Sequence, residues 1–392
     1  MLKKMIINSI FIIILAVLPA IILFNAYSPK SGFLDLIFFG EQFSANRLKE
    51  INSINLPAQT QIGYDGQFYA QVALDPLILH DNTIHALYEP TSRARRIGLP
   101  ILSFILGFGN PAWILQIYAL LNFAFWGLLL LALYRYSGFC YRKDFLLAAS
   151  VLWSTGTLVS LSRALTDFPA ATLSVLAVFL IAKRKIAASL LSFATLCKET
   201  SGLGFLLLAW PEGKWKTNLH KIFISCLIVF IPIAVWVLYI RIRINNGFLA
   251  DNNNFAFPFL GIICKVTTEG ERFFRGLSQF SIIHMRNLLY EFVCPLSLLA
   301  QSVYLIVKPR LYSPFWKLGI GFAAVIYIVG NAVWVEQVSY CRSLLILTFC
   351  FNFLIHRYER GISYALWYFI GNVGMSWMCV KLLSKWVLNT SF

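Results

Sequence analysis

Apolar residues run for close to twenty positions again and again along this chain, and few folds can accommodate that pattern. The first run covers residues 5–24, and others lie at roughly 112–134, 145–161, 168–182, 222–240, 289–307, 318–335, 339–356 and 362–383. About 20 apolar residues cross the hydrocarbon of a bilayer as a helix. Only 13% of the 392 residues are charged and 59% are apolar, whereas a soluble domain carries roughly 25% charged residues. Mean hydropathy is +0.71. Lipid is therefore the expected solvent, and a helix is the structure that satisfies its own backbone there. The fold class that follows is an all-α polytopic membrane protein.

Lys3 and Lys4 precede the first run as in a signal-peptide n-region, but residues 25–27 (Asn25, Ala26, Tyr27) offer no small-x-small cleavage site. An uncleaved anchor is expected. A polar stretch from about Tyr27 to Arg96 follows, and it marks a large first loop over 27–110. Residues 97–108 are apolar but too few to span, so an interfacial or re-entrant helix fits them. The stretch 186–210 is interrupted by Lys198, Glu199 and Thr200. It reads as two short helices forming a hairpin whose tip carries those charges. Counting that hairpin as two, the chain has about eleven transmembrane helices.

Lys/Arg bias in short loops orients the whole. With the N-terminus inside, the basic clusters 135–143, 183–185, 214–221, 308–310 and 357–360 also fall inside. The segments 27–96, 163–167, 198–199, 241–290 and 336–342 then face out. Treating 186–210 as a single span would strand Lys214, Lys216 and Lys221 outside.

The formal charge is +16, more than the inside clusters require. Arg93, Arg95, Arg96, Arg163, Lys198, Arg241, Arg243, Lys265, Arg272, Arg275, Arg286 and Arg342 map to the outer face or to outer helix ends. Cations at headgroup depth suit a lipid phosphate, and the guanidinium fork is matched to it; snorkelling to the interface explains such residues equally well one at a time. Nucleic acid is not an expected partner despite a pI near 9.6, because the charge forms no patch. The eight cysteines (Cys140, Cys197, Cys226, Cys264, Cys294, Cys341, Cys350, Cys379) are scattered without a CxxC pair. They read as apolar filling, with no zinc site or disulfide framework. His220, His284 and His356 read as solvated or interfacial, and Trp113, Trp210, Trp316 and Trp334 as an interfacial belt.

The first loop holds the run IGYDGQFYAQVALDP over residues 62–76. Asp65 stands where a helix N-cap would, at the start of a helix from Gly66. Phe68, Tyr69 and Val72 recur at helical spacing, which would press one face of that helix onto the membrane surface. Asp75–Pro76 would end it. The residues alone leave Asp65 open as a structural cap or as a working carboxylate.

The run YDGQFYAQVALDP, with the basic stretch SRARRIGLPILSFILGFG about twenty residues on, resembles a group of bacterial inner-membrane proteins of cell-surface glycopolymer formation. They belong to the GT-C superfamily of polytopic glycosyltransferases. Thr166–Asp167–Phe168–Pro169 is similar to the Asp-bearing second outer loop of that superfamily, and Cys197–Lys198–Glu199–Thr200 to a (Arg/Lys)-Glu-Thr hairpin tip. Glu336 to Arg342 matches more loosely. The likeness covers residues 1–245 well, as a GT-C-like module. It covers 246–392, an outer loop and C-terminal helices, only in style. The segment His80–Asp81–Asn82–Thr83–Ile84–His85 departs from the pattern and leaves the acceptor side unassigned.

The resemblance implies transfer of a hexosyl or pentosyl group from a polyprenyl-phosphate-linked donor. The acceptor would be a glycan or glycolipid on the outer face of the bacterial cytoplasmic membrane. It makes Asp65 the base or acceptor-orienting carboxylate, and Arg93, Arg95, Arg96 and Lys198 the holders of the departing phosphate. Tyr64, Gln67, Tyr69, Asp167, Glu199 and Arg342 join them as substrate-binding residues. Asp167 would assist Asp65, with or without a divalent metal as in some relatives; no residue here establishes the metal. A single displacement at the anomeric carbon would invert its configuration. Two other readings share the spans and outer arginines: a flippase or transporter of a lipid-linked saccharide, and an O-antigen-type polymerase. The first would place ionisable residues at the bilayer midplane and show internal repeats; the second has no need of the Asp65 motif.

Overall fold

The computed structural model describes residues 2–54, 56, 62–209, 215–244, 255–276 and 282–388. Among them the secondary structure is helical, broken only by the isolated bridges Ser28–Gly32 and Phe255–Val329. Four helices are long and apolar enough to cross a membrane: Asn8–Ala26, Pro111–Ser137, Leu219–Ile244 and Leu289–Val307. Two bent pairs raise that number to six if each is one span. They are Arg142–Leu152 with Thr155–Ser162, bent by 49°, and Gln337–Ser343 with Leu345–Tyr358, bent by 60°. Among the described residues the chain is thus helical, with four to six membrane-length apolar helices.

Other expected spans are shorter than the hydropathy suggests. Asp167–Phe179 has 13 residues and Pro314–Val325 has 12, the second giving way to a separate short helix, Asn331–Trp334. The last apolar stretch is split into Gly361–Asn372 and Trp377–Leu388 around Gly374–Ser376. At about 1.5 Å per residue a 12-residue helix covers about 18 Å, well short of the roughly 30 Å core. Hydropathy alone does not register where glycines and polar residues interrupt the ladder.

The chain forms two compact units built from interleaved segments, whereas the expected division at residue 245 runs along the chain. One comprises Met1–Leu18, Leu133–Leu158 and Asp251–Phe392; the other Pro19–Ala132 and Val159–Ala250. In the first, Lys308 and Ser363 converge on Glu359, and His356 Nε2 lies 3.0 Å from Asp144 Oδ1. His356 is thus a partnered group and not a solvated one. Trp316 and Trp334 are buried there, contrary to a lipid-interface belt, while Trp113 of the other unit is exposed. Trp210 and Lys214 lie outside the described residues.

The second unit carries the motif. Helix Asp167–Phe179 packs against Arg184–Cys197, which packs against Trp215–Ile244. After Cys197 the chain doubles back through Glu199–Phe205 and Leu206–Ala209. Arg184 Nη2, at the start of the outgoing helix, donates to the Leu208 carbonyl at 2.6 Å, and its Nε donates to Ser225 Oγ at 2.9 Å. The interruption at Lys198 is therefore the tip of a hairpin. Trp215–Ile244 leaves the Arg184 end and reaches the other, where its last turns grip the first loop. Trp236 Nε1 donates to Ala94 O at 2.9 Å, and Arg243 Nε donates to Ile78 O at 2.7 Å. Phe68, Val72, Ile78, Leu87, Ala94, Ile97, Ile240 and Ile244 share one core there. Each large side chain among them contributes about 1.5–3 kcal/mol by burial.

The helix Gly66–Leu74 does not lie on a membrane surface. Residues 66 to 73 are all buried, polar ones included. Gln71 explains how: its Oε1 accepts from Leu48 N–H and its Nε2 donates to Ala86 O, both at 3.0 Å. The face expected to be polar and wet is closed by amide braces to the backbone.

Candidate functional site

The site is assembled at the end of the second unit where the hairpin tip, the motif helix and the loop 163–167 meet. Gly66 fixes the approach of two of these. A Cβ at this position would fall 2.3 Å from Arg163 O, so only glycine allows the helix to start against that carbonyl. Gly63, with φ +71°, packs its backbone on Gly40 N. Gln67 then bridges the same two segments, accepting from Gly40 N–H at 3.0 Å and donating to Ile62 O at 3.2 Å. Both polar atoms of Gln67 are thus engaged with the protein backbone, as a brace.

Asp65 stands at the head of the motif helix but makes no side-chain capping bond. Its Oδ1 instead lies 3.0 Å from Arg93 Nη2, with both side chains largely buried. Burial alone would weaken the charged form of Arg93, but Asp65 and then Tyr69 outweigh it and hold the guanidinium pKa above its ordinary value. The guanidinium also lies 5.5 Å from the centroid of the Phe68 ring. Arg96 runs parallel: its Nη1 donates to the Tyr69 hydroxyl at 2.6 Å, and its Nε lies 3.5 Å from Glu199 Oε2. The basic triplet is therefore tied at Arg93 and Arg96 to the motif helix, and through Arg96 to the hairpin tip. Arg95 is half-buried between them, at the end of the short helix Pro90–Ala94.

The hairpin tip brings a second ion pair. Lys198 Nζ bonds to Asp167 Oδ1, and both side chains are buried. Gly98, where the helix Gly98–Leu106 begins, is packed on Cys197 so closely that a Cβ would meet its Sγ at 2.5 Å. Arg163 stacks on Tyr64, 4.1 Å from the ring centroid. Ala164, at φ +45°, turns the loop so that its carbonyl accepts from the Tyr118 hydroxyl at 2.8 Å. Asp65 and Asp167 both lie within electrostatic range of that hydroxyl. Buried polar atoms remain at the site with no hydrogen-bond partner among the described residues: Arg93 Nε, Thr166 Oγ1, Thr200 Oγ1 and Ser201 Oγ. Leaving such a group unsatisfied costs about 1–3 kcal/mol, so these atoms are suited to a polar ligand.

Of the residues the sequence singled out, Asp65 pairs with Arg93, Arg96 joins Tyr69 to Glu199, and Lys198 beside Glu199 pairs with Asp167; Tyr64 stacks on Arg163 and Gln67 braces the backbone. Arg342 belongs to the other compact unit. Arg163 is legible only as one of many outer cations, and Tyr118 and Ser201 carry no signal, being ordinary residues beside apolar stretches; Thr166 stands in the Thr166–Pro169 motif without a role of its own. A divalent metal fits this set poorly. Among the described residues no three His, Cys, Asp or Glu side chains converge, and each carboxylate is turned onto a cation. No family model, curated protein or solved structure matches the chain.

Proposed function

We propose that this chain is a GT-C-type glycosyltransferase of the bacterial inner membrane. It would transfer a sugar from a polyprenyl-phosphate-linked donor to a cell-surface glycan or lipid-linked acceptor outside the cytoplasm. One observation carries the reading. Asp65, Arg93, Arg96, Asp167 and Lys198 come from four separated stretches and gather at one end of one unit. Those stretches are the ones the charge bias assigns to the outside, while Arg184, beside the inside cluster 183–185, lies at the other end. That placement supports a loop 27–110, a turn 163–167 and a hairpin tip that share the outer side.

In this reading the acceptor hydroxyl attacks the anomeric carbon and gives its proton to an Asp65 carboxylate oxygen. The bond from that carbon to the phosphate oxygen breaks, and its electron pair leaves with the phosphate. Arg93, Arg96 and Lys198 supply the donors that stabilise the phosphate as charge develops. A carboxylate beside a guanidinium is held in its charged form; a phosphate that competes for Arg93 would free Asp65 to accept the proton. One displacement inverts the anomeric centre.

Asp65→Asn tests the assignment. The variant keeps the shape and loses the base, so transfer from a polyprenyl-phosphate sugar in isolated membranes should fall by about 10²–10⁴-fold at normal protein level. Full activity in that variant would remove Asp65 from the chemistry.

A further inference from the structure

The segment 80–85, which matches no expected pattern, forms one wall of a cavity in the same unit as the candidate site. The cavity measures about 720 Å³ and its other wall is residues 45–52. Its floor includes Leu74 and Asp75, the far end of the motif helix from Asp65. Ten residues at about 1.5 Å each set that floor about 15 Å along the helix from Asp65. We propose that this cleft is the binding site for the acceptor glycan, holding an uncharged, hydroxyl-rich saccharide chain away from its reacting end. The proposal rests on the transferase reading and adds its acceptor class.

The chemistry of the lining argues for sugar hydroxyls. Asn46 and Asn82 each bring a carbonyl oxygen and an amino group, the pair that a hydroxyl can both donate to and accept from, and Asn52 adds a carbonyl oxygen while its amide nitrogen donates to Arg47 O at 3.4 Å. His80 and His85 add two imidazoles, the first with its Nδ1 already 3.2 Å from Asp75 Oδ2. The fixed charges balance in number, two cations (Arg47 and Lys49) and two carboxylates (Glu50 and Asp75) lining the cleft. A phosphate or acidic polymer would call for an excess of cations, and none exists here. Moreover, Arg47 is already donating to Gly40 O, and its guanidinium lies over the Phe39 ring. Asp75 is likewise occupied, accepting from Leu79 N–H, His80 N–H and the Thr83 hydroxyl.

The walls are also fixed before any ligand arrives. Gln71 ties Leu48 of one wall to Ala86 at the end of the other, and Arg243 holds Asp81 at 2.7 Å. Binding energy gathered at such a remote, rigid site can orient the reacting hydroxyl at Asp65.

The test uses the full chain in lipid nanodiscs. Probes are maltohexaose and cellohexaose, with a uronic-acid hexamer of the same length, read by saturation-transfer NMR. A neutral hexamer should bind, and Asn46→Ala with Asn82→Ala should weaken it about tenfold. The same pair should raise the acceptor concentration for half-maximal transfer. Asp65→Asn should lower transfer by about 10²–10⁴-fold and leave hexamer binding intact, so a failed base assignment and a failed cleft assignment are told apart. Binding of the acidic hexamer alone, no hexamer binding, or equal binding by the double variant would overturn the proposal.

Discussion

Lys198 and Asp167 are two charges taken out of water, 8% and 1% exposed, and paired with one another. Removing one partner of such a pair typically costs about 3–5 kcal/mol, because the other is left charged and buried. Replacing both by apolar residues of similar size is far cheaper. Lys198→Met should therefore lower the melting temperature in detergent sharply, and Lys198→Met with Asp167→Leu should recover much of it. If Lys198 also holds phosphate, the double variant will be stable and still inactive. Recovery of both stability and transfer would reduce Lys198 to a structural group. The sequence shows Lys198 plainly, as a cation breaking an apolar run. It does not show the partner, since 31 residues separate the two and only the return of the chain between them brings the side chains together.

The helix Gly66–Leu74 shows where periodicity stops being informative. Helical spacing places Phe68 and Val72 on one face, and they are indeed buried. The opposite face was expected in water, yet Gln67 and Gln71 are buried too, because each amide satisfies two backbone groups. A hydrophobic pattern says which side is apolar, not whether lipid or protein covers it. The element's end was legible from Asp75–Pro76, but the use of the Asp75 carboxylate was not. Burial opposes its ionisation; the His80 N–H, the Thr83 hydroxyl and the Leu79 N–H together outweigh that and hold its pKa below the ordinary value. A carboxyl group depressed in the folded state stabilises it above the unfolded pKa of about 3.9. That contribution is lost as pH falls through the lower, folded value. The Leu79 and His80 amides should thus be protected from hydrogen exchange at pH 6 and lose protection below about pH 4, after correction for intrinsic rates. Asp75→Asn should lack that protection at pH 6 as well. Equal protection in the variant and at both pH values would remove Asp75 from the role of clamp.

At the scale of the molecule, the low charge and the apolar runs anticipate the membrane-length apolar helices that are found. They do not settle how many crossings the helices make. Short helices such as Asp167–Phe179, and breaks such as the one at Lys198, depend on side-chain partners that hydropathy averages away. The parity of the topology hangs on one element. Helix Arg184–Cys197 has 14 residues, about 21 Å at 1.5 Å per residue, against a hydrocarbon core of roughly 30 Å. The chain then returns until Leu208 O meets the Arg184 guanidinium, so residues 184 and 208 share an end. If that hairpin enters and leaves the membrane from the inside, Lys185 and His220 face the cytoplasm together while Lys30 of the first loop faces out. Single cysteines at Lys30, Lys185 and His220, all exposed positions, decide this with a membrane-impermeant maleimide. Lys30→Cys should label in intact cells above the background of the eight native cysteines. Lys185→Cys and His220→Cys should label only after permeabilisation. Labelling of His220→Cys but not Lys185→Cys in intact cells would mean a single crossing, and the segments after the hairpin would reverse their sides.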